Sequence, residues 1–155
     1  MTNTIFSEMH MKIDIKNLSG LEILKKRAAG ELPNPSMFKT IPMEILIVEK
    51  GHVVFEAVAG DLHLNPAGTV HGGFIATVMD SVMSASIRSV LDAGSDLTTM
   101  EINVKYLKPV PHDVKLIADA RLINTTKRVG VAEGTLKDEA GNLYAFATTS
   151  CMIFR

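Results

Sequence analysis

At 155 residues the chain fits one domain, and a domain of that length buries roughly 70% of the surface its unfolded form exposes. A formal net charge of −1, from 16 Lys and Arg against 17 Asp and Glu, leaves no basic surface for nucleic acid, whose phosphates are held by clustered cations. The single Cys151 excludes an internal disulfide framework.

Residues 1–16, MTNTIFSEMHMKIDIK, lack the apolar run of a secretory signal and read as a loosely attached arm. No later apolar run is long enough to cross a bilayer, so a cytoplasmic protein is expected, with no membrane or nucleic-acid partner. Ser19 followed three residues later by Glu22 has capping-box spacing and opens a short helix through Ala28, which Gly30 stops. Leu32-Pro33-Asn34-Pro35 is then loop, because each Pro disfavours helix in the residue before it. This divides the chain into an N-terminal arm with a short helix, 1–40, and a main domain, 41–155.

Within the main domain Ile45–Val48 and Val53–Ala59 read as two strands joined by the turn Glu49-Lys50-Gly51-His52. Residues 60–70 are polar and marked by Gly and Pro. Residues 72–91 hold no Pro and read as one long helix. Strands follow at Leu97–Leu107, Val114–Thr125, Arg128–Lys137 and Leu143–Phe154, the first with Glu101, Asn103 and Lys105 alternating against Ile102, Val104 and Tyr106. The expected architecture is α+β, with about six strands in one antiparallel sheet and a long apolar helix across it. A sheet covered by one helix layer leaves an edge or face open, and self-association is the usual remedy.

The long helix carries apolar residues on every side, among them Phe74, Ile75, Val78, Met79, Val82 and Met83, which predicts burial. Asp80 sits in its middle. A carboxylate there needs partners or a chemical task. The bland reading is a hydrogen bond to a buried backbone or hydroxyl group. The other reading rests on the preceding segment, Asn65-Pro66-Ala67-Gly68-Thr69-Val70-His71-Gly72-Gly73. Two glycines at a helix start allow a ligand to approach free N–H groups at the positive end of the helix dipole. Such donors suit a carbonyl oxygen that gains charge during attack, with the Asn65 amide and a His71 ring nitrogen as additional groups. Gly72 and Asp80 lie about 12 Å apart along one helix axis, too far to serve one reacting centre. Two antiparallel copies would bring the start of one helix beside the middle of the other, so a homodimer with two shared sites is expected.

The segment NPAGTVHGGFIATVMD, continuing through SVMSAS, resembles the hot-dog-fold acyl-CoA thioesterases, in particular the phenylacetate-pathway (PaaI-like) group, and the similarity extends over roughly residues 41–154. The resemblance implies a sheet wrapped around one central helix, paired subunits assembled as a dimer of dimers, and hydrolysis of an acyl-CoA thioester to free acid and CoA. It places the general base or nucleophile at Asp80, the upstream amide at Asn65, and the polarising N–H at Gly72, beside His71 and Gly73. Ser84 is the hydroxyl one turn beyond the base. Thr99, next to Thr98, would supply a second hydroxyl from the strand of the partner subunit. Lys127 and Arg128 form a basic turn that either meets the nucleotide phosphates of CoA or is a solvated hairpin tip. Phe74, Ile75, Met79 and Met83 either line or support the acyl pocket. No metal or redox cofactor is expected, and His10, His52, His63 and His112 lack ligand spacing. The rival readings are a hydratase or dehydratase of acyl thioesters, a non-catalytic acyl-CoA binder, and a structural domain in which Asp80 and the Gly-Gly turn are coincidence.

Overall fold

The computed structural model describes residues 15–155; the arm reading of residues 1–14, and His10 with it, lies outside the described residues. Two helices and six strands follow in the order α1 (Gly20–Ala28), β1 (Met43–Glu49), β2 (His52–Val58), α2 (Gly72–Arg88), β3 (Asp96–Tyr106), β4 (Lys115–Thr125), β5 (Val129–Asp138) and β6 (Leu143–Phe154). Helix α1 starts where the sequence predicts. Ser19 Oγ accepts from the Glu22 amide at 3.3 Å, and a Glu22 carboxylate oxygen accepts from the Ser19 amide at 2.8 Å. The Gly20 amide then donates to the Leu91 carbonyl at 2.9 Å, fastening α1 to the chain just beyond α2.

All six strands pair antiparallel in one sheet of order β1-β2-β4-β5-β6-β3. Helix α2 lies against the sheet and contacts β2, β3, β4, β5 and β6. The crossing is close. A Cβ built on Gly130 of β5 would stand 2.4 Å from Ile87 Cγ2, so only glycine lets the strand pass beneath the helix there. Met79 and Met83 are fully buried against β5. They pack the helix onto the sheet, which settles them as core rather than lining.

The burial of α2 corrects one expectation. Its apolar residues occupy one broad side, while Ala76, Thr77, Asp80, Ser81, Ser84 and Arg88 form a half-buried strip on the other. The sequence hides this strip because its members are mostly small and alternate with larger neighbours every three or four residues.

Strand β3 is an edge, bonded only to β6. Its pairing slips between Thr99 and Glu101, so that Thr99 faces Cys151, Glu101 faces Ser150, and Met100 is the extra residue of a bulge. Leu97 and Thr99 turn inward before the bulge, and Ile102 and Val104 after it. Tyr106 does not continue that inward row. Its side chain is 53% exposed and lies over the start of α2.

Candidate active site

Asp80 and Thr99 meet at the open strip. Thr99 Oγ1 donates to Asp80 Oδ1 at 2.8 Å, and Asp80 accepts no other hydrogen bond among the described residues. Both residues belong to one chain, which corrects the expectation that Thr99 reaches the carboxylate from a partner's strand. The same hydroxyl lies 3.9 Å from Cys151 Sγ, whose thiol is pushed up by burial. That thiol is therefore kept neutral. Ser84, one turn beyond Asp80, donates back to the Ser81 carbonyl at 3.1 Å.

Beside the Asp80–Thr99 pair opens a cavity of about 400 Å³. Ser81, Ser84, Thr98 and Thr99 line its near side. Its apolar wall includes Leu24 of α1, Met37 and Phe38 of the turn Ser36–Lys39, and Phe55 of β2. The Phe38 and Phe55 rings pack edge-to-face with centroids 5.6 Å apart. The segment before residue 41 thus builds one wall. Sequence reasoning missed this contribution. The available signal was Leu24 and Arg27 at i, i+3 on one face of α1. Two neighbouring arginines, Arg27 and Arg88, also line it, with Arg88 about 12 Å along α2 from Asp80.

A second cleft, of about 330 Å³, lies at the start of α2 and contains Asn65, Gly72, Tyr106 and Lys108. Asn65 shapes its own loop, accepting from the Ala67 and Thr69 amides at 2.9 and 3.2 Å and donating to Thr69 Oγ1 at 2.8 Å. His71 is the N-cap of α2. Its Nδ1 accepts from the Gly73 amide at 2.8 Å, so this ring nitrogen serves the helix start, and the Gly73 N–H is committed with it. The Gly72 amide has no hydrogen-bond acceptor among the described residues. The reason for glycine at 72 is also specific: a Cβ would lie 3.3 Å from the Tyr106 ring, whose hydroxyl donates to the Gly72 carbonyl at 3.0 Å. Tyr106 was not anticipated, because strand alternation assigned it to the interior.

The structure therefore brings Asn65 and Gly72 together at one end of α2, and Asp80, Thr99, Thr98 and Ser84 at its middle. The eight residues from Gly72 to Asp80 separate the two groups by about 12 Å. Lys127 and Arg128 are exposed on the β4–β5 turn. Val129 pairs with Met152, which pairs with Thr98, so this basic tip lies two strands from the Asp80 end of the sheet. Among the described residues no cluster of three His, Cys, Asp or Glu has metal-binding geometry, and no helix is long and apolar enough to cross a membrane.

One antiparallel sheet wrapped on a central helix is the hot-dog fold of thioesterases. A phenylacetic acid degradation-related protein of Ralstonia eutropha JMP134 has this fold: it is 30% identical, with TM-score 0.77 over 83% of this chain and 98% of that one. A Streptococcus mutans UA159 protein solved with acetyl CoA is 26% identical, with TM-score 0.71 over 79% of this chain and 95% of that one. Acyl-coenzyme A thioesterase 13 of Homo sapiens is 25% identical over 96 residues, 61% of this chain and 68% of that protein. Residues 67–145, just over half the chain, match the thioesterase superfamily, and the chain belongs to that family of thioester hydrolases.

Proposed function

We propose that the protein hydrolyses acyl-CoA thioesters in sites shared between two copies of the chain. The observation that carries the reading is the Asp80 carboxylate, held through Oδ1 by Thr99 with its other oxygen unbonded among the described residues. The relatives named for acyl-coenzyme A hydrolysis, or solved with acetyl CoA, support CoA as the thiol portion. The exposed edge β3 and the open strip of α2 lie together and supply a surface for a second copy. An antiparallel pairing across it would set the Gly72 end of one helix beside the partner's helix middle.

In that arrangement the thioester carbonyl oxygen accepts from the Gly72 amide, assisted by the free N–H of Asn65 Nδ2. Asp80 takes a proton from water, the hydroxide adds to the carbonyl carbon, and the C–S bond breaks. CoA leaves as thiolate and is protonated. The alternative route has Asp80 add directly, giving a mixed anhydride that water then opens; both routes use the same groups. His71 acts through the turn it caps rather than as a proton carrier. Thr98 and Ser84 border the acyl chain, and Lys127 and Arg128 meet the nucleotide phosphates. The chemistry requires no metal or redox cofactor.

Asp80→Asn is expected to lower kcat by about 10²–10⁴ in a free-thiol release assay across acyl-CoA substrates. Near-normal turnover by that variant overturns the assignment. Consumption of an enoyl-CoA absorbance without thiol release would favour a hydratase instead. A catalytically active monomer in dilute sedimentation would exclude the shared site.

A further inference from the structure

The far end of the 400 Å³ cavity holds more positive charge than its neighbours balance. Arg88 is ion-paired with Asp96, and Lys26 with Glu31 at 2.7 Å. Glu22, the carboxylate of α1, is turned to Ser19 in the capping box. Arg27 has neither arrangement. Its guanidinium makes no hydrogen bond among the described residues, and its Nε is a buried side-chain nitrogen left without a partner. A buried donor of this kind carries a desolvation cost until an acceptor meets it. Burial first, and then the nearby Arg88 charge, weaken the hold of Arg27 on its proton; Asp96 opposes them, but that carboxylate already pairs with Arg88, so one anion serves two cations.

The position of this cation is informative. Leu24, Met37, Phe38 and Phe55 line the same cavity, which Thr99 borders from the Asp80 side. Arg88 is eight residues beyond Asp80 on α2, about 12 Å along the axis, and Arg27 shares its end of the cavity. A ligand filling this space has its thioester at Asp80, an apolar middle, and room at its far end for an oxyanion. Guanidinium Nε and Nη together present a planar fork that suits a carboxylate held by two parallel bonds.

We propose that the cavity selects acyl groups whose far end carries a carboxylate, with Arg27 as the residue that recognises it. This rests on the thioesterase reading of the same site. The other source of an oxyanion is a CoA phosphate. The apolar lining that Arg27 shares favours the acyl chain, since a nucleotide phosphate would have to enter among Leu24, Met37, Phe38 and Phe55.

The test compares matched pairs, suberoyl-CoA with octanoyl-CoA and adipoyl-CoA with hexanoyl-CoA, on the full chain and on Arg27→Met. Expected for the native chain is a higher kcat/KM for the carboxylate-ended member of at least one pair. In Arg27→Met the ratio of carboxylate-ended to neutral kcat/KM should fall about ten- to hundredfold, the size of a lost charged hydrogen bond. Arg27→Lys should restore part of the ratio. An unaltered ratio, or a change in sedimentation showing that Arg27 serves subunit pairing, overturns the proposal. So does a weakening of inhibition by free CoA that exceeds the change in the ratio, because the oxyanion is then a phosphate. A second readout is independent of turnover: free suberate should raise the Tm of the native chain more than octanoate does, and Arg27→Met should abolish that difference. Absence of thiol release from every substrate would defeat the thioesterase reading and leave the suberate result to decide Arg27.

Discussion

Thr99 faces Asp80 because Met100 interrupts the pairing of β3 with β6. Strict alternation along the strand would put Thr99 on the same side as Glu101 and Asn103, both exposed. The bulge reverses the phase and delivers the hydroxyl to the carboxylate at 2.8 Å. Thr99→Val removes that donor while keeping the shape. Its kcat for acyl-CoA is expected to fall about ten- to hundredfold, and Thr99→Ser to retain most of the native rate. Thiol-release kinetics on the two variants check this.

The contact between Gly72 and Tyr106 makes a second prediction. A methyl group on Gly72 would lie 3.3 Å from the ring and displace the turn that presents the free amide. Gly72→Ala should lower kcat up to about 100-fold, the cost of misplacing a catalytic group by around 1 Å. Tyr106→Ala in the same chain should recover part of the loss by making room. Failure of the second substitution to help would separate the turn's position from the ring.

Gly130→Ala tests the helix–sheet crossing alone. The added Cβ, 2.4 Å from Ile87 Cγ2, overpacks a contact that has no slack. A loss of about 1–3 kcal/mol is expected, read as a lower denaturant midpoint or a Tm reduced by roughly 2–10 °C.

Acid should weaken the junction of α2 with β3. Burial alone would raise the Asp96 carboxyl, but hydrogen bonds from Arg88 and the Leu97 amide outweigh it and hold the group below the usual carboxylate range. A lowered folded-state pKa contributes stability above the unfolded value of about 3.9, and that contribution is lost as pH falls through the folded value. Asp96→Asn should therefore flatten the decline of stability with acid. At neutral pH its cost should stay below about 1 kcal/mol, since the Asp96 side chain is 70% exposed. Urea midpoints of both proteins between pH 2 and 7 measure this.

The fold was legible wherever local chemistry and long-range packing agree. Ser19 and Glu22 cap α1, Gly51 turns the first hairpin, and the strands lie where apolar alternation places them. Legibility failed where a contact between distant segments decides the outcome. Tyr106 has the pattern of an inward residue, yet it turns over Gly72 because the strand ends there beside the helix start. The carboxylate and the Gly-Gly turn could be singled out in the sequence. Thr99 came from family resemblance and was placed in the wrong subunit, because a bulge leaves no trace in composition. Arg27 gave no signal beyond its helical spacing from Leu24, since its unpartnered Nε depends on Asp96 pairing with Arg88 instead.

The wall formed by Leu24, Met37 and Phe38 has an evolutionary consequence. It precedes residues 67–145, the stretch shared with the superfamily, whereas Gly72, Asp80 and Thr99 fall inside it. Part of the cavity wall and the reacting groups are thus carried by separate lengths of the polypeptide. Substitutions at Leu24, Met37 or Phe38 can therefore reshape that wall while leaving Gly72, Asp80 and Thr99 in place.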